Sequence, residues 1–205
     1  DEARRRVMDA ERDRVLDIAV GLVQRGLLDT SAELSVGSTP GVSVFTNREV
    51  AIGGDGTDTL RITEIRPGTY VFYDMGQVAL GSARLQDCAL LCVATVLSQT
   101  RFDDGTERTI TDAGKKVLTS DRRAGATTYG EVLYSPRTMI AHPHARVVAL
   151  SEEHGWVDTP GGSIWAVGDS VFVVPNHACV AVATRRQLYV TDGDEVVDTW
   201  DVLAR

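Results

Sequence analysis

A histidine and a cysteine stand two residues apart in the segment Pro175-Asn176-His177-Ala178-Cys179. Side chains two apart in a β-strand point to the same side, so His177 and Cys179 could offer an imidazole nitrogen and a thiolate to one ion. Both groups are good Zn²⁺ ligands, and two protein ligands leave coordination positions for water or substrate. The alternative, which the spacing alone favours, is a small buried cysteine beside a hydrogen-bonded turn histidine.

A loop of small residues, Gly37-Ser38-Thr39, follows an apolar run that predicts a strand over Leu34–Val36. Successive backbone N–H groups can converge on an anion in such a loop, and the two hydroxyl groups add donors. The loop is therefore a candidate phosphate site. A plain strand-ending turn is the alternative interpretation.

Other reactive side chains have weaker patterns. His154 follows two glutamates in a segment that suits either acid–base chemistry or a surface turn. The His142-Pro143-His144 segment has no third ligand in the sequence pattern, which favours a structural role. Cys88 and Cys92 are four residues apart in an apolar run predicted to be one strand, and we expect them to pack in the core.

The elements that must position these residues differ between the two ends of the chain. Apolar residues at 3.6-residue spacing from Val15 to Leu27 predict a helix that stops near Gly26. Helix, strand and loop patterns over residues 1–75 are typical of an α/β unit too short to cover its own parallel sheet. From residue 76 onward, short β-type runs separated by turn residues favour an antiparallel β-barrel or sandwich. The fold class predicted is therefore mainly β.

The individual predictions include one loop, Gly53–Gly56, and a series of strands. The predicted strands are Tyr70–Tyr73, Ala89–Leu97, Arg146–Leu150, Val171–Val174, Val180–Ala183, Leu188–Val190 and Glu195–Trp200.

Net charge, apolar run length and cysteine count argue against several classes of protein. The chain has 205 residues and a formal net charge of −8, which gives no general attraction to nucleic acid or to an anionic membrane. Its longest apolar run, Cys88–Leu97, is about half the ~20 residues that a membrane-spanning helix needs. Three cysteines are too few for a disulfide scaffold, so we expect a reducing, cytoplasmic setting.

Six segments, taken in order, resemble the carboxyl-terminal half of the D-threonine aldolase and D-serine dehydratase family of alanine-racemase-like, metal-activated pyridoxal enzymes. The segments span nearly the whole chain and are Val36–Pro40, Glu64–Asp74, Thr111–Lys116, Leu150–Gly155, Val174–Cys179 and Val196–Trp200. Each segment is weak alone, and the ordered set is specific.

The resemblance implies a fold-type III enzyme with a TIM barrel that holds pyridoxal phosphate and a β domain that supplies a divalent metal. It makes residues 1–75 the last part of the barrel and residues 76–205 the metal-binding β domain. Gly37, Ser38 and Thr39 match the loop that helps bind the cofactor phosphate, and Tyr70 lies in a matching segment near it. His177 and Cys179 match the metal ligands, a pair that favours Zn²⁺ over Mn²⁺ and D-serine over D-threonine. His154 is a candidate for a supporting acid–base role.

The activity implied is D-serine dehydration or D-threonine aldol cleavage, with the metal activating the β-hydroxyl group of a small D-amino acid. The resemblance also implies a homodimer. No segment matches the family's cofactor lysine, so we expect this chain alone to be inactive without a barrel segment or a separate barrel chain. A non-catalytic, standalone or split metal-binding β domain is the alternative, and a racemase-type reaction is a weaker third possibility.

Overall fold

A computed structural model describes residues 1–53 and 58–203 of the chain. Residues 54–56 of the predicted Gly53–Gly56 loop lie outside the described residues. The chain forms two compact units, Asp1–Tyr70 and Val71–Arg205, and each has its own buried core.

The first unit begins with one long helix, α1 (Glu2–Val23). The predicted helix is confirmed, and it extends through the charged residues before Val15, because Glu and Arg are good helix formers. Met8, Leu16 and Ala19 lie on its buried face and pack against strand residues of the same unit. Gly26 has a φ of +68°, a left-handed conformation suited to the turn that follows the helix.

Two small sheets complete this unit. Strand β1 (Ser35–Val36) pairs in parallel with β4 (Glu64–Ile65), and the loops after both strands therefore leave the pair at the same edge. Strand β2 (Val50–Ile52) pairs antiparallel with β3 (Asp58–Leu60). A short helix, α2 (Thr39–Val42), follows β1 after two residues.

The second unit is built on a seven-stranded antiparallel sheet, which confirms the mainly β fold class. In spatial order its strands are β8 (Ile140–Ala141), β7 (Glu131–Ser135), β11 (Ser170–Val174), β5 (Cys92–Arg101), β6 (Glu107–Thr111), β10 (Gly155–Thr159) and β9 (Arg146–Leu150). Alternate residues along β5 and β10 are buried, the pattern of strands with one face on a core. A separate hairpin pairs β12 (Gln187–Asp192) with β13 (Glu195–Asp201).

Short helices interrupt the strands of this unit more often than the sequence predicted. They are α3 (Met75–Ala79), α4 (Lys115–Leu118) and α5 (Ala178–Ala183). The strand predicted at Val180–Ala183 is wrong because Ala178 and Ala181, three residues apart, bury one helical face. The strand predicted at Tyr70–Tyr73 is wrong as well, since a 3₁₀ turn spans Thr69–Val71 and Tyr73 has a φ of +51°.

Cys88 and Cys92 are both buried, which confirms core packing. Their placement on one strand is wrong, because Cys88 follows a 3₁₀ turn and Cys92 begins β5, and the two side chains belong to different apolar clusters. Burial raises the pKa of the Cys88 thiol to about 11 and that of Cys92 to about 12, so both stay protonated at neutral pH.

Across the ranges 1–53 and 58–203, no helix has the length and apolar character needed to cross a bilayer.

Candidate functional site

The predicted metal-binding pair lies at the point where β11 ends and α5 begins. His177 is the residue that caps α5, with extended backbone, and Cys179 is the second residue of the helix. The strand geometry predicted for this segment is therefore wrong: His177 comes immediately before the helix, and Cys179 belongs to its first turn. His177 is partly buried and Cys179 is exposed.

A second segment of the same unit fixes this turn. The buried carboxylate of Asp74 accepts hydrogen bonds from the backbone N–H of Gln77 and of Ala178, both at 2.9 Å. Met75 N–H donates to Pro175 O, and Gly76 N–H donates to Asn176 O, each at 3.1 Å. The start of α3 and the start of α5 are therefore tied together through two backbone hydrogen bonds and one shared carboxylate.

The imidazole of His177 has a carboxylate partner. Its Nδ1 lies 2.6 Å from Oδ2 of Asp121, a residue in the loop after α4. A carboxylate only accepts hydrogen bonds, so this contact favours the neutral tautomer with the proton on Nδ1 and the lone pair on Nε2. A metal-binding histidine commonly has this arrangement, with the outer nitrogen hydrogen-bonded to a carboxylate.

The donor set fits a divalent metal, and zinc in particular. An imidazole nitrogen and a cysteine sulfur are both ligands that Zn²⁺ prefers, and Cys179 is an exposed residue. In the part of the chain that the structure describes, no cluster of three or more His, Cys, Asp or Glu side chains is arranged around a possible metal position. A metal with His177 and Cys179 as its two protein ligands would keep positions for water or substrate.

The candidate phosphate loop lies in the first unit, at the edge where the parallel strands β1 and β4 end. Gly37 has a φ of +154°, and a Cβ atom there would meet the backbone nitrogen of Arg66 at 2.5 Å. Only glycine fits so close to the neighbouring strand. The backbone N–H of Gly37 donates to the carboxylate of Glu11 at 3.2 Å, so a phosphate bound by this donor would replace the Glu11 carboxylate.

Two of the residues predicted to bind the cofactor phosphate, Thr39 and Tyr70, are hydrogen-bonded to each other. The backbone N–H of Tyr70 donates to Oγ1 of Thr39 at 3.2 Å, while the Tyr70 side chain is 54% exposed. Ser38 precedes α2 with extended backbone, and its carbonyl oxygen accepts from Gly41 and Val42. Active sites of α/β barrels form at this end of the parallel strands, which suits a cofactor phosphate.

The other histidines lie elsewhere in the second unit. His154 is exposed in the β9–β10 turn, where its backbone pairs with Ser151, so it lies on different elements from His177. His142 is buried between β8 and β9, and its Nδ1 accepts from the backbone N–H of Ala145 at 2.9 Å. Burial first, and then the charges of His144 and Arg146, lower the pKa of His142.

Sequence reasoning missed Asp121 and Asp74 as parts of the site. Asp74 lies in one of the six resembling segments, so its place there was a usable signal. Asp121 is 56 residues from its histidine partner and belongs to no such segment, so nothing in the sequence pattern could have found it.

The family model for the putative serine dehydratase domain matches residues 89–191, a range that contains Asp121, His177 and Cys179. A Mycobacterium tuberculosis protein is 36% identical over 133 residues, which are 64% of this chain and 95% of that protein. The D-serine dehydratase of Dictyostelium discoideum is 27% identical over 80% of this chain and 40% of its own length.

The D-threo-3-hydroxyaspartate dehydratase of Delftia sp. HT23 is similar along the whole chain. Its sequence is 29% identical over 98% of this chain and 51% of its own length. Its structure superposes with a TM-score of 0.76 at 28% identity, covering 100% of this chain and 52% of that chain. The D-threonine aldolase of Filomicrobium marinum shares the fold, with a TM-score of 0.67 at 22% identity. This chain thus spans about half the length of the dehydratase structure that it matches.

Proposed function

This chain belongs to the serine dehydratase domain family, as the six segments predicted, and we propose that it is part of a pyridoxal-phosphate- and metal-dependent lyase for D-β-hydroxy amino acids. In this proposal the second unit supplies the metal site, and the first unit supplies part of the site for the cofactor phosphate.

The paired donors at the start of α5 carry the proposal. His177 offers Nε2 because Asp121 is in contact with Nδ1, and the exposed residue Cys179 offers a thiolate two residues further along the chain. The solved structures of the Delftia dehydratase include a histidine-to-alanine variant and a metal-free cysteine-to-alanine variant, at positions two residues apart. His177 and Cys179 have the same spacing and the same residue types.

Each bound group would supply one kind of chemistry: the metal is a Lewis acid for the substrate β-hydroxyl group, and pyridoxal phosphate is an electron sink for the substrate α-carbon. The chain's own residues hold and orient these groups. His177 and Cys179 would bind the metal, and the sulfur ligand favours zinc over manganese. Gly37, Ser38 and Thr39 would hold the cofactor phosphate, with Tyr70 fixed to Thr39 at the same strand edge.

His154 is proposed only as a supporting acid or base. His154 is exposed in the β9–β10 turn, so its ring could exchange a proton with solvent or with a bound substrate. A role in proton transfer predicts that His154→Gln changes the pH profile of the complete enzyme.

Metal binding is the first test of the proposed function. We expect the chain, stripped with chelator and titrated with ZnCl₂ in a calorimeter, to bind one Zn²⁺ per chain. His177→Ala and Cys179→Ala should each weaken binding at least about 100-fold, because each removes one of two protein ligands. His154→Gln serves as the control and should bind Zn²⁺ like the parent chain. Equal affinity in all four proteins would exclude this site.

The reaction is tested separately, through release of ammonium from D-serine, D-threo-3-hydroxyaspartate and D-threonine. We expect no turnover by this chain alone with pyridoxal phosphate and zinc, and turnover when a barrel polypeptide bearing the cofactor lysine is supplied. Release of ammonium from the first two substrates would identify a dehydratase. Glycine and an aldehyde formed from D-threonine would identify an aldolase.

A standalone metal-binding β domain is the second candidate, and one comparison favours it. The Mycobacterium tuberculosis relative is matched over 95% of its length by only 133 residues, and a TIM barrel alone needs about 200 residues or more. Zinc binding with no turnover in the presence of any barrel partner would favour this candidate over the lyase.

A further inference from the structure

We propose that Asp121 is a positioning residue that holds the His177 imidazole in the tautomer and orientation needed for metal binding. The inference rests on the proposed metal site, and it concerns a residue that neither the sequence pattern nor the resemblance identified. The observation that supports the proposal is the 2.6 Å contact between Asp121 Oδ2 and His177 Nδ1.

The contact sets which nitrogen is available. A neutral imidazole free in water places its proton mostly on Nε2, where it would block the nitrogen that faces away from Asp121. A carboxylate next to Nδ1 attracts the proton to that nitrogen and leaves the Nε2 lone pair for a metal. The two side chains keep 41% and 47% of their surfaces exposed, so the pair is open on the side away from the contact.

The loop that carries Asp121 is held in place from several sides. The side-chain amide of Asn176, the residue before His177, donates to Asp121 O at 3.0 Å and to Thr128 O at 2.7 Å. The largely buried pair Arg123 and Glu131, with nitrogen and oxygen 2.7 Å apart, ties the loop to β7. Asp121 and His177 are therefore connected through the neighbouring Asn176 side chain as well as through their own side chains.

A residue with a strained backbone, Thr119, lies two positions before Asp121 in the chain. Thr119 is 3% exposed and has a φ of +64°, a conformation that a β-branched residue rarely adopts. Its Oγ1 accepts a hydrogen bond from the backbone N–H of Asp121 at 3.1 Å. Such strain persists only where the surrounding contacts require it, and here those contacts fix the place of the carboxylate.

A direct test reads the tautomer in the metal-free chain. Long-range ¹H–¹⁵N correlation spectra, recorded at a pH where the rings are neutral, should show His177 protonated on Nδ1 in the parent chain. In Asp121→Ala the proton should move to Nε2, whereas His154 should give the same signals in both proteins. A His177 signal of the Nε2–H form in the parent chain would overturn the proposal, whatever the chain does with zinc.

A second test measures zinc affinity in the full chain. Asp121→Ala and Asp121→Asn should each weaken Zn²⁺ binding by about 10- to 100-fold, the usual effect of removing such a partner. Asp104→Asn, which alters an exposed aspartate in the β5–β6 turn, is the matched control and should change affinity less than twofold. Asp121→Glu keeps the carboxylate and should recover part of the lost affinity.

The outcomes separate this proposal from the proposed function. Zinc binding by the parent chain that is unchanged in Asp121→Ala and Asp121→Asn would overturn the positioning role and leave the metal site intact. A loss as large as that of His177→Ala would overturn it too, because Asp121 would then be a ligand. If the parent chain binds no zinc, the proposed metal site fails, and the tautomer measurement still decides whether Asp121 orients His177.

Discussion

At the scale of single residues, the buried His142 makes stability depend on pH. Its ring lies between Tyr134 and Trp165, with centroids 5.9 and 5.3 Å away, and burial lowers its pKa. Below the usual histidine range near pH 6.5, the unfolded chain binds a proton that the folded chain does not. The stabilisation is therefore complete above about pH 7 and decreases as the pH falls towards the pKa of the folded state.

The substitution His142→Asn should remove this contribution, because its amide oxygen can replace Nδ1 as the acceptor for Ala145 and does not titrate. Urea unfolding at pH 8 and pH 5 should show a smaller difference between the two pH values than in the parent chain. Absolute stability should fall at both, since the ring contacts are lost. His154→Asn, at an exposed histidine, should keep the parent's pH difference. If the difference in stability between pH 8 and pH 5 is the same in His142→Asn as in the parent chain, His142 is not the source of the pH dependence.

Single residues also show which parts of the candidate site could be predicted from the sequence. His177 and Cys179 were identifiable because ligand types and spacing are properties of the sequence itself. Their geometry was not, because a short continuous apolar run such as Ala178–Ala183 suits a buried strand and a short helix equally well. Asp121 escaped prediction since a hydrogen bond across 56 residues depends on the folded loop and leaves no local pattern.

At the scale of elements, Asp74 joins two helix starts. One carboxylate oxygen accepts from Gln77 N–H at the start of α3, and the other accepts from Ala178 N–H at the start of α5. In Asp74→Asn one of these buried N–H groups would face an amide NH₂ group. We expect a loss of about 1–3 kcal/mol in the free energy of unfolding, the usual effect of an unsatisfied buried donor. Chemical denaturation followed by circular dichroism measures it.

The matched control is Asp87→Asn, since Asp87 also caps a turn, accepting from Arg84 N–H at 2.8 Å, but is remote in sequence from α5. It should lower stability less than Asp74→Asn and leave zinc affinity unchanged. Asp74→Asn should weaken zinc binding as well, because the turn that carries His177 and Cys179 loses its anchor. Equal effects of the two substitutions would show that Asp74 is an ordinary cap.

Elements were predicted best where a long pattern repeats. Helix α1 and strands such as β9 and β13 follow from apolar patterns over five residues or more. Short helices such as α3 and α5 were missed because their ends depend on a partner, the shared Asp74 carboxylate, that comes from a distant part of the chain. Both of these missed helices carry or anchor residues of the candidate metal site.

At the scale of the whole molecule, the contacts described for the candidate metal site all belong to the second compact unit. Asp74, Asp121, Asn176, His177 and Cys179 lie within Val71–Arg205, together with the apolar cluster under the seven-stranded sheet. The Mycobacterium tuberculosis relative, matched over 133 residues and 95% of its length, is close in size to this unit. A domain of this size can bury its own core and fold independently.

We therefore expect residues 71–205, produced alone, to unfold in one cooperative transition and to bind zinc within twofold of the full chain. The same fragment with His177→Ala is the control and should lose zinc binding as the full chain does. A fragment that folds but binds zinc more than tenfold more weakly would mean that residues 1–70 contribute to the metal site. Because cooperative unfolding is measured on the same sample, a failure to fold is distinguished from a loss of the ligands.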